Sequence, residues 1–161
     1  MGRTWWCAQG DWLPWSWDIW SAHNSQHLID PYTATHVLHG VLFFGLLRLL
    51  GDRWPGARAL VAVGLESAWE ILENTDRVIQ HYRETTISLE YDGDAVLNSA
   101  ADIAAMGIGY WLASRLPWWA SVGGFLATEV ALALWIRDSL LLNILMLLWP
   151  IEAIKAWQLG A

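Results

Sequence analysis

Hydrophobic and polar positions divide the chain into four long apolar stretches, a fifth that is interrupted, and two polar and aromatic regions outside them. The first stretch predicts a helix over 30–51, with Asp30 as N-cap, Pro31 at the first helical position and Gly51 just past the end. Twenty residues at about 1.5 Å each give roughly 30 Å, one bilayer core. A tight GDRWPG turn leads into a second helix over 56–73. The third helix is expected over 94–116, opening on Asp94 as N-cap, and the fourth over 117–137. The fifth, SLLLNILMLLWPIEAIKAW over 139–157, contains Pro150, which should kink it or divide a span from an interfacial piece. The pattern therefore predicts an all-α, multi-pass transmembrane bundle of four to five helices in a single integral membrane domain.

One of these helices breaks the apolar rule. Glu66, Glu70 and Glu73 follow an apolar run at spacings of four and three, which puts all three carboxylates on one helix stripe. Charges buried in an apolar medium need protonation, an opposite charge or a cation to offset their desolvation.

Two regions lie outside the predicted bundle. Residues 1–29 carry Trp5, Trp6, Trp12, Trp15, Trp17 and Trp20, a density that suits a segment lying in the headgroup zone. The mixed polar stretch 74–93, with a short alternation at Ile87, Leu89 and Tyr91, reads as an extracytoplasmic lid or re-entrant loop. Arg48, Arg53, Arg58, Arg115 and Lys155 fall on one side of the predicted bundle and Arg3, Arg77, Arg83 and Arg137 on the other. The short arginine-rich first loop sets that side as cytoplasmic.

Composition agrees with a membrane setting. The 161 residues are 55% hydrophobic and include 14 tryptophans, with a mean hydropathy of +0.30. A net charge of −7 offers nothing to a nucleic-acid backbone. A single cysteine, Cys7, excludes an internal disulfide and any paired-cysteine motif, and reads as inert. Met1 leads into GRTWWCAQGDWLPW without the apolar core of a cleavable signal peptide.

With this topology the polar residues of three helices share one depth. His36 and His39 sit in the outer part of the first helix, the three glutamates in the outer half of the second, and Asp94, Asn98 and Asp102 in the outer half of the third. Both acidic ladders descend about 10–12 Å from the outer surface. His36, His39, Glu70 and Asp102 form a nitrogen and oxygen ligand set suited to a divalent metal ion such as zinc, manganese or iron, while a structural pairing of the histidines with the glutamates is the alternative. Glu66 is the candidate general base, and Arg83 and Arg137 near the outer rim are candidates to hold an anionic headgroup. Glu129 stands alone in the fourth helix and has no assigned role. Gly107, Gly109, Gly123, Ala127 and Ala131 read as close helix packing.

Four motifs carry a family resemblance: SQHLIDPYTATHVLHG (25–40), WEILEN (69–74), YDGDAVLNSAADI (91–103) and IRDSLLLNILMLLWPIEAIKAWQ (136–158). In this order they resemble the bacterial inner-membrane proteins catalogued as domain of unknown function 2585, also called uncharacterised protein family 0314. The similarity runs from about Cys7 to Gln158. It implies a multi-pass plasma-membrane protein of the kind found chiefly in alphaproteobacteria, and supplies no activity. The resemblance also implies a further membrane helix upstream of the segment that begins at Met1. It implies a second cysteine two places after Cys7, where this chain has Gln9.

Two functional classes follow. One is a small metal-dependent membrane enzyme acting on a lipid-linked or envelope substrate through a periplasm-facing acidic and histidine pocket. The other is a non-catalytic accessory or assembly subunit, whose polar cluster fixes the bundle and whose tryptophan-rich segment docks on a membrane protein partner. Ion movement along the acidic ladder ranks last, because the inner halves of the second and third helices are mostly Gly, Ala, Val and Leu.

Overall fold

The computed structural model describes residues 2–51, 55–86 and 90–160. Within them the fold is all-helical, in the order α1 (Thr33–Arg48), α2 (Pro55–Glu73), α3 (Asp76–Thr85), α4 (Val96–Arg115), α5 (Trp118–Trp135), α6 (Leu140–Leu148) and α7 (Glu152–Leu159). Arg53 of the expected first loop and Ile87 and Leu89 of the expected alternation lie outside the described residues.

Local chemistry explains most of the boundaries. Asp30 acts as a cap, accepting from the Thr33 amide at 3.0 Å while its own amide donates to the Thr33 hydroxyl at 3.1 Å. Helix α1 then begins at Thr33, three residues later than Asp30, because Pro31 and Tyr32 form the intervening turn. Pro150 separates α6 from α7, since it has no amide to donate and its ring excludes a continuous helix. The stretch 74–93, expected as a loop, contains the ten-residue α3, which turns Ile79, Tyr82 and Thr85 inward. Those residues recur every three positions, a helical period that the many polar neighbours disguise.

Asp94 departs from its expected role. Helix α4 starts after Ala95 with no side-chain cap. The chain's own N-terminal segment supplies the acceptors: Ala95, Val96 and Leu97 donate their amides to the carbonyls of Ser25, Thr4 and Trp5. Asp94 instead accepts from the Asn74 amide group at 2.7 Å and from the Tyr91 hydroxyl at 3.0 Å. The N-terminal segment is thus bonded to the end of the bundle by main-chain hydrogen bonds.

The most extensive helix pair is α1 with α4. Gly40 and Gly109 allow it: a Cβ on Gly40 would collide with the Met106 carbonyl and the Tyr110 amide, and one on Gly109 with the Val37 carbonyl. Gly107 and Gly123 face open space instead.

The distribution of polarity is inverted. The buried set includes His27, His36, Glu66, Glu70, Asn98, Asp102, Glu129 and Asp138. The exposed set includes Leu60, Leu126, Val130 and Leu134, the last 80% accessible. Among the described residues no single helix is long and apolar enough to cross a membrane, and only α5 with α6, bent by 73°, meets that measure as a pair. The helices that expose the leucines also carry the buried acids, and the mean over both faces hides the apolar one.

Candidate functional site

The close α1–α4 crossing fixes the positions of the ionisable groups. His36 and His39, three residues apart on α1, face Glu66 and Glu70, one turn apart on α2, and Asp102 comes from α4. Glu66 has no exposed surface. Its Oε1 lies 2.6 Å from His36 Nδ1, and His39 Nδ1 lies 3.0 Å from both carboxylate oxygens. A carboxylate can only accept, so Nδ1–H donates to Glu66 in each case and leaves Nε2 of each ring pointing away from it.

His36 is the shared member of two sets. On one side it binds Glu66; on the other its Nδ1 is 3.4 Å from Glu70 Oε1 and its Nε2 is 3.9 Å from Asp102 Oδ2. His36, Glu70 and Asp102, all buried, each offer a ligand atom within 4.8 Å of the others. Both Glu70 oxygens and Asp102 Oδ1 are buried without a well-formed hydrogen bond, although Ser99 is close to Glu70. Two such carboxylates flanking an imidazole are costly unless a proton or a cation is held between them.

These groups adjoin a cavity of about 60 Å³ at one end of the bundle. His36, His39, Glu73, Asp94 and Asp102 line it, while Glu66 and Glu70 do not. The rest of its wall comes from the N-terminal segment, Tyr32, Thr35 of α1, Trp69 of α2, α3, α6 and Tyr91. Space of this size holds a few water molecules or one partly hydrated ion. Tyr82 closes it against α6, its hydroxyl donating to Asn143 Oδ1 at 3.1 Å. At the cavity rim, burial pushes Asp94 above the ordinary aspartate range, opposed by its hydrogen bonds from Asn74 and Tyr91. Burial likewise raises Tyr91, with the Asp94 charge adding to the effect, so the phenol stays a donor.

The structure brings together His36, His39, Glu66, Glu70 and Asp102, and leaves the two arginines apart from them. Arg83 donates to the Tyr91 carbonyl at 2.5 Å and pairs with Asp92 at 2.9 Å, in a surface groove that shares Asn24 and Asp94 with the cavity wall. Arg137 donates to the Trp157 carbonyl at 3.2 Å. It lies at the α5–α6 turn and lines neither the cavity nor the groove.

Several residues gain roles that sequence reasoning did not assign. Glu129 accepts the Leu140 and Leu141 amides, both at 3.0 Å, and so caps α6 from eleven residues upstream. Asp138 receives Tyr32, Asn143 and Gln158, tying the start of α1 to α6 and α7. Asn74 was detectable, because it follows Glu70 by one helical turn in WEILEN. The partners of Glu129 and Asp138 are set by the 73° bend after α5, which no local pattern announces.

The family described as "Protein of unknown function (DUF2585)" matches residues 1–160. The chain belongs to that family. It is 52% identical to a UPF0314 protein of Rhizobium meliloti over 99% of this chain and 82% of the relative. A UPF0314 protein of Paracoccus denitrificans is 50% identical over 98% of this chain and 82% of its own length. One from Sphingopyxis alaskensis is 42% identical over 99% and 86%. No solved structure matches the chain. In this DUF2585 member, the motifs WEILEN and YDGDAVLNSAADI supply Glu70 and Asp102, the carboxylates grouped with His36, and Asp94, which shares the cavity wall with it.

Proposed function

We propose that this DUF2585 protein is an integral protein of the bacterial inner membrane that holds a divalent metal ion between His36, Glu70 and Asp102 and acts on a lipid-linked or envelope substrate. The observation that carries the metal centre is the burial of the Glu70 and Asp102 carboxylates on either side of one histidine, with only Ser99 beside Glu70 and Asp102 Oδ1 without a hydrogen bond. A divalent ion there satisfies the carboxylates and accepts the His36 Nε2 lone pair. When bound it supplies Lewis acidity and an acidified water.

The remaining residues divide the work. Glu66, bonded to both Nδ1 atoms, orients His36 and His39 and fixes their tautomers. In this reading Glu66 acts through the histidines, and His39, which lines the cavity, is placed to accept or donate a proton at Nε2. Arg83, in the adjoining groove, is the cation nearer the cavity wall for an anionic headgroup. Membrane embedding is supported by the inverted polarity: an interior rich in carboxylates, imidazoles and amides under a leucine-covered exterior is favourable in lipid and unfavourable in water. The exposed tryptophans Trp5, Trp12 and Trp20 of the N-terminal segment suit the lipid interface, and the arginine-rich first loop supports a cavity facing the periplasm.

The test is titration of the detergent-purified protein with manganese(II), a hard ion that favours carboxylate and imidazole over thiolate, read by electron paramagnetic resonance of the free ion. One site is expected, weakened at least about tenfold in Glu70→Gln and in Asp102→Asn, with both variants still folded. A folded wild-type protein that takes up no manganese, or equal binding in all three proteins, would turn the assignment toward the accessory-subunit class and a search for its partner.

A further inference from the structure

A second group of ligating side chains lies outside the acidic cavity. Cys7, His23 and His27 come from the N-terminal segment, which forms no helix, yet their ligand atoms lie within 4.8 Å of one another. Cys7 Sγ is 3.4 Å from His23 Nδ1, and His23 Nδ1 is 3.3 Å from His27 Nε2. Cys7 and His27 are buried and His23 is half-buried, so the group is roofed by protein and reachable from one side.

The proton positions are constrained by the neighbours. His27 Nδ1 lies 2.5 Å from the Leu13 carbonyl, which can only accept, so Nδ1 carries the hydrogen and Nε2 presents a lone pair. That lone pair points at His23 Nδ1, which also faces the cysteine sulfur. Three electron-rich atoms therefore converge, with only a His23 ring proton and the Cys7 thiol proton to lie between them. A cation in the same place satisfies all three. The spacing suits one: a tetrahedral zinc ion with nitrogen ligands at about 2.0–2.1 Å separates two nitrogens by about 3.3–3.4 Å, and a nitrogen from a sulfur by about 3.6 Å.

The supporting contacts are those of a built site. The Leu13 carbonyl orients His27 as an outer-shell acceptor orients a metal-bound imidazole. The Trp6 ring packs edge-on against His27 at 5.7 Å, and the His27 carbonyl accepts from buried Asn98 on α4 at 2.7 Å, which fixes the ligand to the bundle. We propose that Cys7, His23 and His27 bind zinc(II), with the fourth position open toward the exposed side of His23. On binding, the thiol proton leaves to solvent and the sulfur coordinates as thiolate. The ion would join residues 7 and 27 and so staple the tryptophan-rich segment onto the end of α4. This site stands independently of the acidic cavity and differs from it in ligand softness.

Cobalt(II), a spectroscopic substitute for zinc, distinguishes the two, because only a thiolate ligand gives sulfur-to-cobalt charge-transfer absorption in the near ultraviolet. Titrating the metal-free, detergent-purified full chain should give that band with saturation at about one equivalent, and zinc should displace it. The band is expected to vanish in Cys7→Ser, to weaken at least about tenfold in affinity in His27→Gln, and to persist in Glu70→Gln, whose lesion lies in the other site. Zinc should also slow alkylation of Cys7 in the wild type, a readout that needs no variant. A folded wild-type protein with no charge-transfer band overturns the proposal, as does a band that survives in Cys7→Ser or alkylation indifferent to zinc. Loss of the cavity's manganese site with the cobalt band intact would sink the proposed function and leave this site standing.

Discussion

Gly40 on α1 and Gly109 on α4 meet where the two helices cross, each occupying a place in which a Cβ would strike the main chain of the other helix. That contact sets how far α1 and α4 approach and hence where His36 stands relative to Asp102. Gly40→Ala or Gly109→Ala should each cost at least about 2 kcal/mol, because main chain, unlike a flexible side-chain tip, has no room to yield. Gly107→Ala, which faces open space, should be nearly silent. Thermal unfolding in detergent compares the three, and equal melting temperatures would refute the crossing as described.

Glu129 gives a second prediction. Its two oxygens hold the amides of Leu140 and Leu141 at the start of α6. Replacing it with Ala strands two buried or half-buried donors and should cost about 2–3 kcal/mol. Glu129→Gln keeps one acceptor and should recover about half. If Ala and Gln variants melt together with the wild type, water rather than Glu129 caps the helix.

The exterior of α5 tests the membrane reading. Leu126 lies near the middle of that helix and is 55% exposed. In water Leu126→Arg would be close to neutral; at a bilayer centre it costs about 3 kcal/mol on insertion scales. The expected outcome is a sharp loss of membrane-inserted protein for Leu126→Arg with little change for Leu126→Ala, measured by fractionation after alkaline extraction.

Asp30 predicts a pH dependence. Burial raises it from 3.8 to about 6, against the opposing amide of Thr33 and the charge of His36. Between those values the native protein keeps a proton that the unfolded chain releases, so this group's contribution to stability falls as pH rises from about 4 to 6. Buried Asp94, also raised, acts in the same direction. The melting temperature in detergent should therefore be a few degrees higher at pH 5 than at pH 7, with a smaller difference in Asp30→Asn, which retains the acceptor for Thr33. An unchanged difference in that variant would show that Asp30 ionises normally.

Helical content, Pro150 as a divider and Asp30 as a cap were all legible in the chain, because each depends on residues within a few positions of one another. The stripe of Glu66, Glu70 and Glu73 was legible for the same reason, and the histidines three apart on α1 likewise. Helix α3 was obscured because its inward positions are few and its surface polar.

What the sequence could not assign was the division of labour among those groups. A glutamate on the inner stripe is equally suited to act as a base, a ligand or an orienting acceptor. Glu66 became the partner of two histidines, and Glu70 was left beside Ser99 and the edge of His36, only when the rotation of α2 against α1 was set. The same holds for Cys7, which looked inert as a solitary cysteine until the fold of the N-terminal segment brought His23 and His27 to it. The sequence by itself determined the long helices and which of their faces are polar, since periodicity is a local property. Only the tertiary structure decided which polar faces meet, because helix rotation and approach are fixed by contacts such as Gly40 against Gly109, between residues far apart in the chain.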